Sequence, residues 1–349
     1  MKKYILIFLI PFMGKSLLSQ EKVRHFHDSI GFAKHDWQMD SIFARIDSID
    51  KIENERISKA VINPHDDYKY AGGLYAKTLS GIKADKIILV GVAHRARNFE
   101  LADKIIFGSF DSWEGPYGKL KVSALRNEII SKLKKESYVV HDSMMQLEHS
   151  LEAILPFLQH QNPETEIVPL LIPYMKFEDM KALAAELAEE FSEIIKEQHL
   201  KYGEDIAVVI SNDAIHYGSE DWGGSNLAPF GTDSIGNEKA HQKDLQIIDE
   251  SLRGKLSNDK IKIFNEYTVE ADDYKAYKWT WCGRYSVPFG LLLANDLNKI
   301  LNGKDLTGEF IDYRSSIKNK HIQVEDLGMG VTAPAKQTHW VAYLGMGYQ

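Results

Sequence analysis

The chain has one cysteine, Cys282, in 349 residues. An intramolecular disulfide is therefore excluded, and so are zinc sites built from several cysteines. No His-Glu-x-x-His pair occurs, which removes the helix-borne zinc site of many metalloproteases. The most apolar run, Tyr4-Ile-Leu-Ile-Phe-Leu-Ile-Pro-Phe-Met13, is too short to span a bilayer comfortably and contains Pro11. Positive charge is scarce as well: 42 basic residues face 50 acidic ones without forming a basic stripe, so nucleic acid and anionic lipid are poor partners. Repeats, low-complexity tracts and Pro/Ser-rich linkers are missing too, which favours a single domain.

What is present begins with a secretory signal pattern. Met1-Lys2-Lys3 is a basic head, the apolar run follows, and Gly14 to Gln20 form a more polar exit. The expected organisation is a signal peptide over 1–20, an N-terminal leader over 21–57, and one α/β domain over 58–349. Such a protein is exported, periplasmic or secreted, with no stable membrane anchor after cleavage. Loss of Lys2, Lys3 and Lys15 lowers the basic count from 42 to 39 against 50 acidic residues, a net charge of −11. In an oxidising compartment a lone thiol is a liability, which raises the expectation that Cys282 is used. His25 and His27, in the leader, are read as part of a solvated N-terminal helix or tail rather than as metal ligands.

From Lys59 onward, short Val/Ile-rich runs alternate with helical patterns, which predicts a layered α/β fold around a mostly parallel sheet. Strands are expected over Ala60–Asn63, Lys86–Gly91, Glu166–Ile172, Ile206–Ser211 and Trp340–Gly345. Helices are expected over Gly72–Ile82, Ser123–Lys135, Ser150–Gln159, Phe177–Gln198, Lys239–Arg253 and Val287–Leu301. The runs Lys104–Phe107 and Lys119–Val122 read as a hairpin, and the Gly-rich stretch 221–236 as a lid or a surface insertion.

Three histidines follow apolar strand-like runs: His65 after Lys59-Ala-Val-Ile-Asn-Pro, His94 after Lys86-Ile-Ile-Leu-Val-Gly-Val-Ala, and His216 after Ile206-Ala-Val-Val-Ile-Ser-Asn-Asp-Ala-Ile. Strand carboxyl ends are where open α/β sheets bind ligands, so distant residues can converge there. Imidazoles with a thiolate suit a transition metal. Asp213 shares a loop with His216, as a proton-transfer pair or an orienting carboxylate. Cys282 lies beside Arg284 and near a helix start, both of which favour thiolate. Glu148 and His149 precede an amphipathic segment whose start Glu152 is expected to cap, and Asp66 and Asp67 read as a polar turn and cap.

Five segments in order, Pro64-His65, Gly91 to His94, Glu148-His149-Ser150 leading to Leu155-Pro-Phe157, Ser211 to Gly218, and Cys282-Gly-Arg284, resemble the Memo family, also called the AmmeMemoRadiSam system protein B family. The resemblance implies a three-layer α/β/α sandwich like that of class III extradiol dioxygenases. It implies a metal site of His65, His94 and Cys282 holding Fe(II) or copper, zinc being the weaker expectation, with His216 nearby; His216 is then expected to be the acid/base or oxygen-stabilising catalytic residue, with Asp213 as its orienting partner. Asp66, Glu148, His149 and Arg284 are candidates for the surrounding shell. Asp66-Asp67 and Arg95 depart from the family pattern; the carboxylates would offer a hard ligand or select a cationic substrate. The expected function is redox or oxygen chemistry on a small molecule or peptide. The alternatives are metal or peptide binding without turnover, and zinc-dependent hydrolysis.

Overall fold

The structure is a computed structural model and describes residues 20–50, 52, 56–219 and 227–349. The signal-peptide expectation lies outside these residues except for Gln20, and so does the first part of the lid expectation, residues 221–226. In chain order the strands are β1 (Val23–Arg24), β2 (Ala60–Asn63), β3 (Lys86–Val92), β4 (Ile105–Phe107), β5 (Ser112–Gly115), β6 (Gly118–Val122), β7 (Tyr138–Val140), β8 (Glu166–Ile172), β9 (Ile206–Ser211), β10 (His216–Gly218), β11 (Gly254–Lys255), β12 (Thr307–Ser315), β13 (Ala335–Lys336) and β14 (His339–Tyr348). The helices are α1 (Asp36–Ile49), α2 (Tyr68–Leu79), α3 (Leu125–Lys132), α4 (Asp142–Leu147), α5 (Leu155–Gln161), α6 (Phe177–Glu197), α7 (Ser234–Ile247), α8 (Asn258–Thr268) and α9 (Ser286–Asn302).

Most strands form one large sheet in the order β1-β5-β6-β8-β3-β9-β2-β14-β12-β11. Its centre, β6-β8-β3-β9-β2, is parallel, while β14, β12 and β11 continue it antiparallel. The strands β8, β3, β9 and β2 are apolar apart from a polar residue at one end because both faces are covered, whereas β6 alternates exposed Lys119 and Lys121 with buried Leu120 and Val122. Ile88, Val90, Val208 and Ile210 enter one core with Leu187, Phe191 and Leu291 of α6 and α9. Their neighbours Ile87, Leu89, Ala207 and Val209 enter the other core with Ile42, Tyr75 and Phe157 of α1, α2 and α5. That alternation, set by the two-residue period of a strand, makes an α/β/α sandwich. Each fully buried Val, Ile or Leu contributes roughly 1.5–3 kcal/mol.

Three features differ from the sequence reading. The hairpin is β5–β6, whereas Ile105–Phe107 pairs with β7 and β8. Ser150 to Ile154 form irregular turns, and the α5 helix begins only at Leu155. The leader is no solvated tail. Its β1 pairs in parallel with β5 and its α1 buries Met39, Ile42 and Ile46. Arg24 is buried, ion-paired to Glu152 at 2.7 Å, and stacked over Trp113. Glu152 also accepts from the backbone N–H groups of His27 and Asp28, so it anchors the leader instead of capping a helix.

Candidate metal centre

His65, His94 and the Asp213 loop lie just past the carboxyl ends of the parallel strands β2, β3 and β9, which are adjacent or one apart in the sheet. The irregular segment before α5 brings Glu148 and His149 to the same edge. One ring nitrogen from each of His65, His94 and His149 lies within 4.8 Å of the others, and His65, Asp213 and Cys282 form a second group on the same criterion. The expected triad is thus divided: His65 belongs to both groups, and His94 and Cys282 fall in different ones. The rings of His94 and His149 stack at 4.5 Å, and His65 meets His94 edge-on at 5.1 Å.

The hydrogen-bond network assigns the tautomers of two rings. The Ser211 hydroxyl donates to the Ser150 carbonyl at 2.8 Å, so its oxygen accepts from Nδ1 of His65, also at 2.8 Å. Glu148 accepts from both the backbone N–H and Nδ1 of His94, each at 2.8 Å. Both rings therefore turn a bare Nε2 away from these partners, the arrangement that orients metal-ligating histidines. For His65 that nitrogen stands 3.1 Å from Oδ2 of Asp213, an acceptor facing an acceptor that only a proton or a cation reconciles. Burial, followed by the charge of Asp66, pushes the Asp213 carboxyl well above the usual carboxylate range. Burial opposes ionisation of Glu148 as well, but His94 beside it holds that carboxyl down to about 2.

Asp213 turns both carboxylate oxygens to His65, whose backbone N–H donates to Oδ1 at 3.0 Å. The acid–imidazole pair suggested by the loop is accordingly made with His65, and Nε2 of His216 instead lies 3.1 Å from Sγ of Cys282. Burial holds His216 down to about 3 and His149 to about 4. The expected activation of Cys282 is reversed: burial, then Asp213 and Asp66, raise the thiol well above its ordinary value, and Arg284 offsets this only in part. Gly283 permits the turn, since a Cβ there would stand 2.2 Å from Oδ1 of Asn212.

Asp66 and Asp67 separate in role. Asp67 accepts from the backbone N–H groups of Thr332 and Ala333 and pins that loop. Asp66, pushed up to about 7 by burial and then by Asp67, faces a cavity of about 380 Å³ together with Asp28, His65, Asp213 and Cys282. A second cavity, of about 440 Å³, reaches His94 and Cys282 from another direction, past Arg97, Lys275 and Arg284. Sequence reasoning missed Arg97, Lys275 and Tyr174 there, because three unconnected loops supply them. Trp279 and Trp281 belong to the core: both indole N–H groups donate to Asp244 at 2.7 Å.

The sequence profile of the family described as "Memo-like protein" matches residues 34–330. A MEMO1 family protein of Aquifex aeolicus is 33% identical over 162 residues, 46% of this chain and 54% of that protein. A MEMO1 family protein of Pyrococcus furiosus is 29% identical over 169 residues, 47% and 55% of the two chains, and one of Saccharolobus solfataricus is 29% identical over 202 residues, 56% and 64%. The matched segments thus span about half to two thirds of the relatives' own length.

Proposed function

Starting from a chain that belongs to the Memo-like protein family, we propose that it holds an iron or copper ion for redox or oxygen chemistry on a small molecule. His65 would be the central ligand, with His94 and His149 on one side and Asp213 and Cys282 on the other. The observation that carries this reading is the pair of oriented rings: Ser211 and Glu148 take the Nδ1 protons of His65 and His94, and the Nε2 of His65 meets an unreconciled carboxylate oxygen. Nitrogen, carboxylate and sulfur donors together suit a late first-row metal, which when bound supplies redox activity and open coordination positions.

The protein's own groups manage protons. In the metal-free state Asp213 keeps a proton and donates it to His65 Nε2, and Cys282 keeps its proton with its sulfur 3.1 Å from His216 Nε2. Loading releases both, so affinity rises with pH. Burial of His65, Asp213 and Glu148 limits the water at this edge. Elemental analysis of anaerobically purified protein tests the reading: bound iron or copper is expected, and His65→Ala should remove it. Full occupancy in that variant would overturn the assignment. Oxygen uptake by the loaded protein then separates turnover from simple metal holding.

The contact between Cys282 and His216 favours a second reading, zinc-dependent hydrolysis, because thiolate, imidazole and carboxylate are all zinc donors. Retention of zinc against iron and copper in competition, together with ester or amide cleavage, would select it.

A further inference from the structure

The larger cavity beside the histidines has an uncompensated charge. The guanidinium groups of Arg97 and Arg284 converge on a single backbone oxygen, the carbonyl of Lys275, at 2.6 and 3.2 Å. Among the described residues, no carboxylate lies within ion-pairing distance, 4.0 Å, of Arg97, Arg284 or the Lys275 ammonium. Arg284 is only 6% exposed, yet its Nε and Nη1 have no hydrogen-bond partner. A buried guanidinium with idle donors is costly, and a second cation converging on the same oxygen adds repulsion. Salt-bridged arginines elsewhere in this protein, Arg24 and Arg314, have buried or half-buried carboxylates against them.

The rest of the wall says what kind of anion fits. Tyr174, Tyr277 and Tyr285 line the cavity, and the Tyr277 ring lies over the Arg284 guanidinium, its centroid 3.2 Å from Cζ. Tyr277 is 46% exposed, so its ring covers the Arg284 donors from the solvent side. Asp273 stands on the same wall and disfavours a dianion. His94 and Cys282 close the inner end. We propose that this cavity binds a small, planar, singly charged carboxylate, its head between Arg97 and Arg284, its body against the tyrosines, and its far end toward His94 and Cys282. The proposal rests on the reading of those two residues as part of the metal centre, and it names the substrate class of that centre as aromatic or otherwise flat carboxylic acids. Arg97 and Arg284 are then binding residues for the substrate rather than supports for the thiol.

Calorimetric titration of the full chain with benzoate, benzamide and inorganic phosphate tests it, with metal content measured on each sample. Benzoate should bind, and raised salt should weaken it. Benzamide, the same shape without the charge, should bind at least about tenfold more weakly, as should benzoate to Arg97→Gln, the loss of one charge-assisted hydrogen bond. Arg97 is exposed, so that variant should fold and keep its metal even if Arg284→Gln does not fold. His65→Ala should lose metal and still bind benzoate. Equal binding of benzoate and benzamide, tighter binding of phosphate, or unchanged affinity in Arg97→Gln would each overturn the proposal while leaving the metal assignment standing. Loss of metal assignment with benzoate binding intact would do the reverse, leaving an anion site without its reacting centre.

Discussion

The two cavities that meet at His94 and Cys282 are opposite in charge and in construction. One is acidic, walled by Asp28, Asp66 and Asp213, and depends on segments far apart in sequence, the leader and the loop around Thr332. The other is cationic and tyrosine-lined, built from the loops after β3 and β8 and the turn before α9. Carboxyl groups are concentrated where their ionised forms would stabilise a bound cation, and fixed positive charge where an approaching anion would enter. A ligand set between such walls discriminates by direction of approach as well as by shape.

The comparison can be broken most severely from the leader. Glu152→Ala removes the partner of a fully buried guanidinium and should cost about 3–5 kcal/mol of folding stability, read by chemical denaturation. It should also open the acidic cavity by releasing Asp28, and a loss below about 1 kcal/mol would show that the leader is not anchored there. A smaller effect is expected from Glu148→Gln, which keeps the size of the side chain but alters the partner of His94 Nδ1. Metal affinity should fall about 10–100-fold with the thermal midpoint little changed. Unchanged affinity would remove His94 from the ligand set.

The mildest test is pH. In the metal-free protein, burial holds His149 near 4 and His216 near 3, so the unfolded chain takes up protons below about 6.5 before the folded one does. Their contribution is present above that pH and is lost as pH falls toward 4. Asp66 acts in the opposite sense: with its carboxyl raised from 3.8 to about 7, its contribution is present at low pH and lost as pH rises through that window. Asp66→Asn should therefore make the loss of stability between pH 6.5 and 4 steeper than in the parent protein, as measured by melting temperature. A shallower curve would mean that Asp66 does not face the acidic cavity.

The parallel strands were legible because a strand covered on both faces is a continuous apolar run ended by turn residues, as in Ile206–Ser211. The strand β12 was not, since Thr-Gly-Glu-Phe-Ile-Asp-Tyr-Arg-Ser mixes polar and apolar residues and carries a register shift between Phe310 and Asp312. The short strand Ser-Trp-Glu-Gly has little apolar character, so the stronger run Ile105–Phe107 beside it mimics a hairpin partner in the sequence. Strand-end position likewise made His65 and His94 visible. His149 was harder to rank because it sits in an irregular segment that resembles a helix start, and its contact with His94 depends on the tertiary path of that segment. The cation pair has no local pattern at all: Arg97 and Arg284 are 187 positions apart by residue number, and only the fold shows that they share an acceptor.

The wall formed by Asp28 and Phe32 on one side and Thr332 to Val341 on the other has a consequence for when the centre can mature. A nascent chain that has displayed His65 and His94 but not yet reached residue 341 has two imidazoles without the enclosure around them. The acidic cavity is therefore closed only once residues 332–341 have packed against Asp28 and Phe32, and an ion held as proposed would meet its full enclosure only in the folded domain.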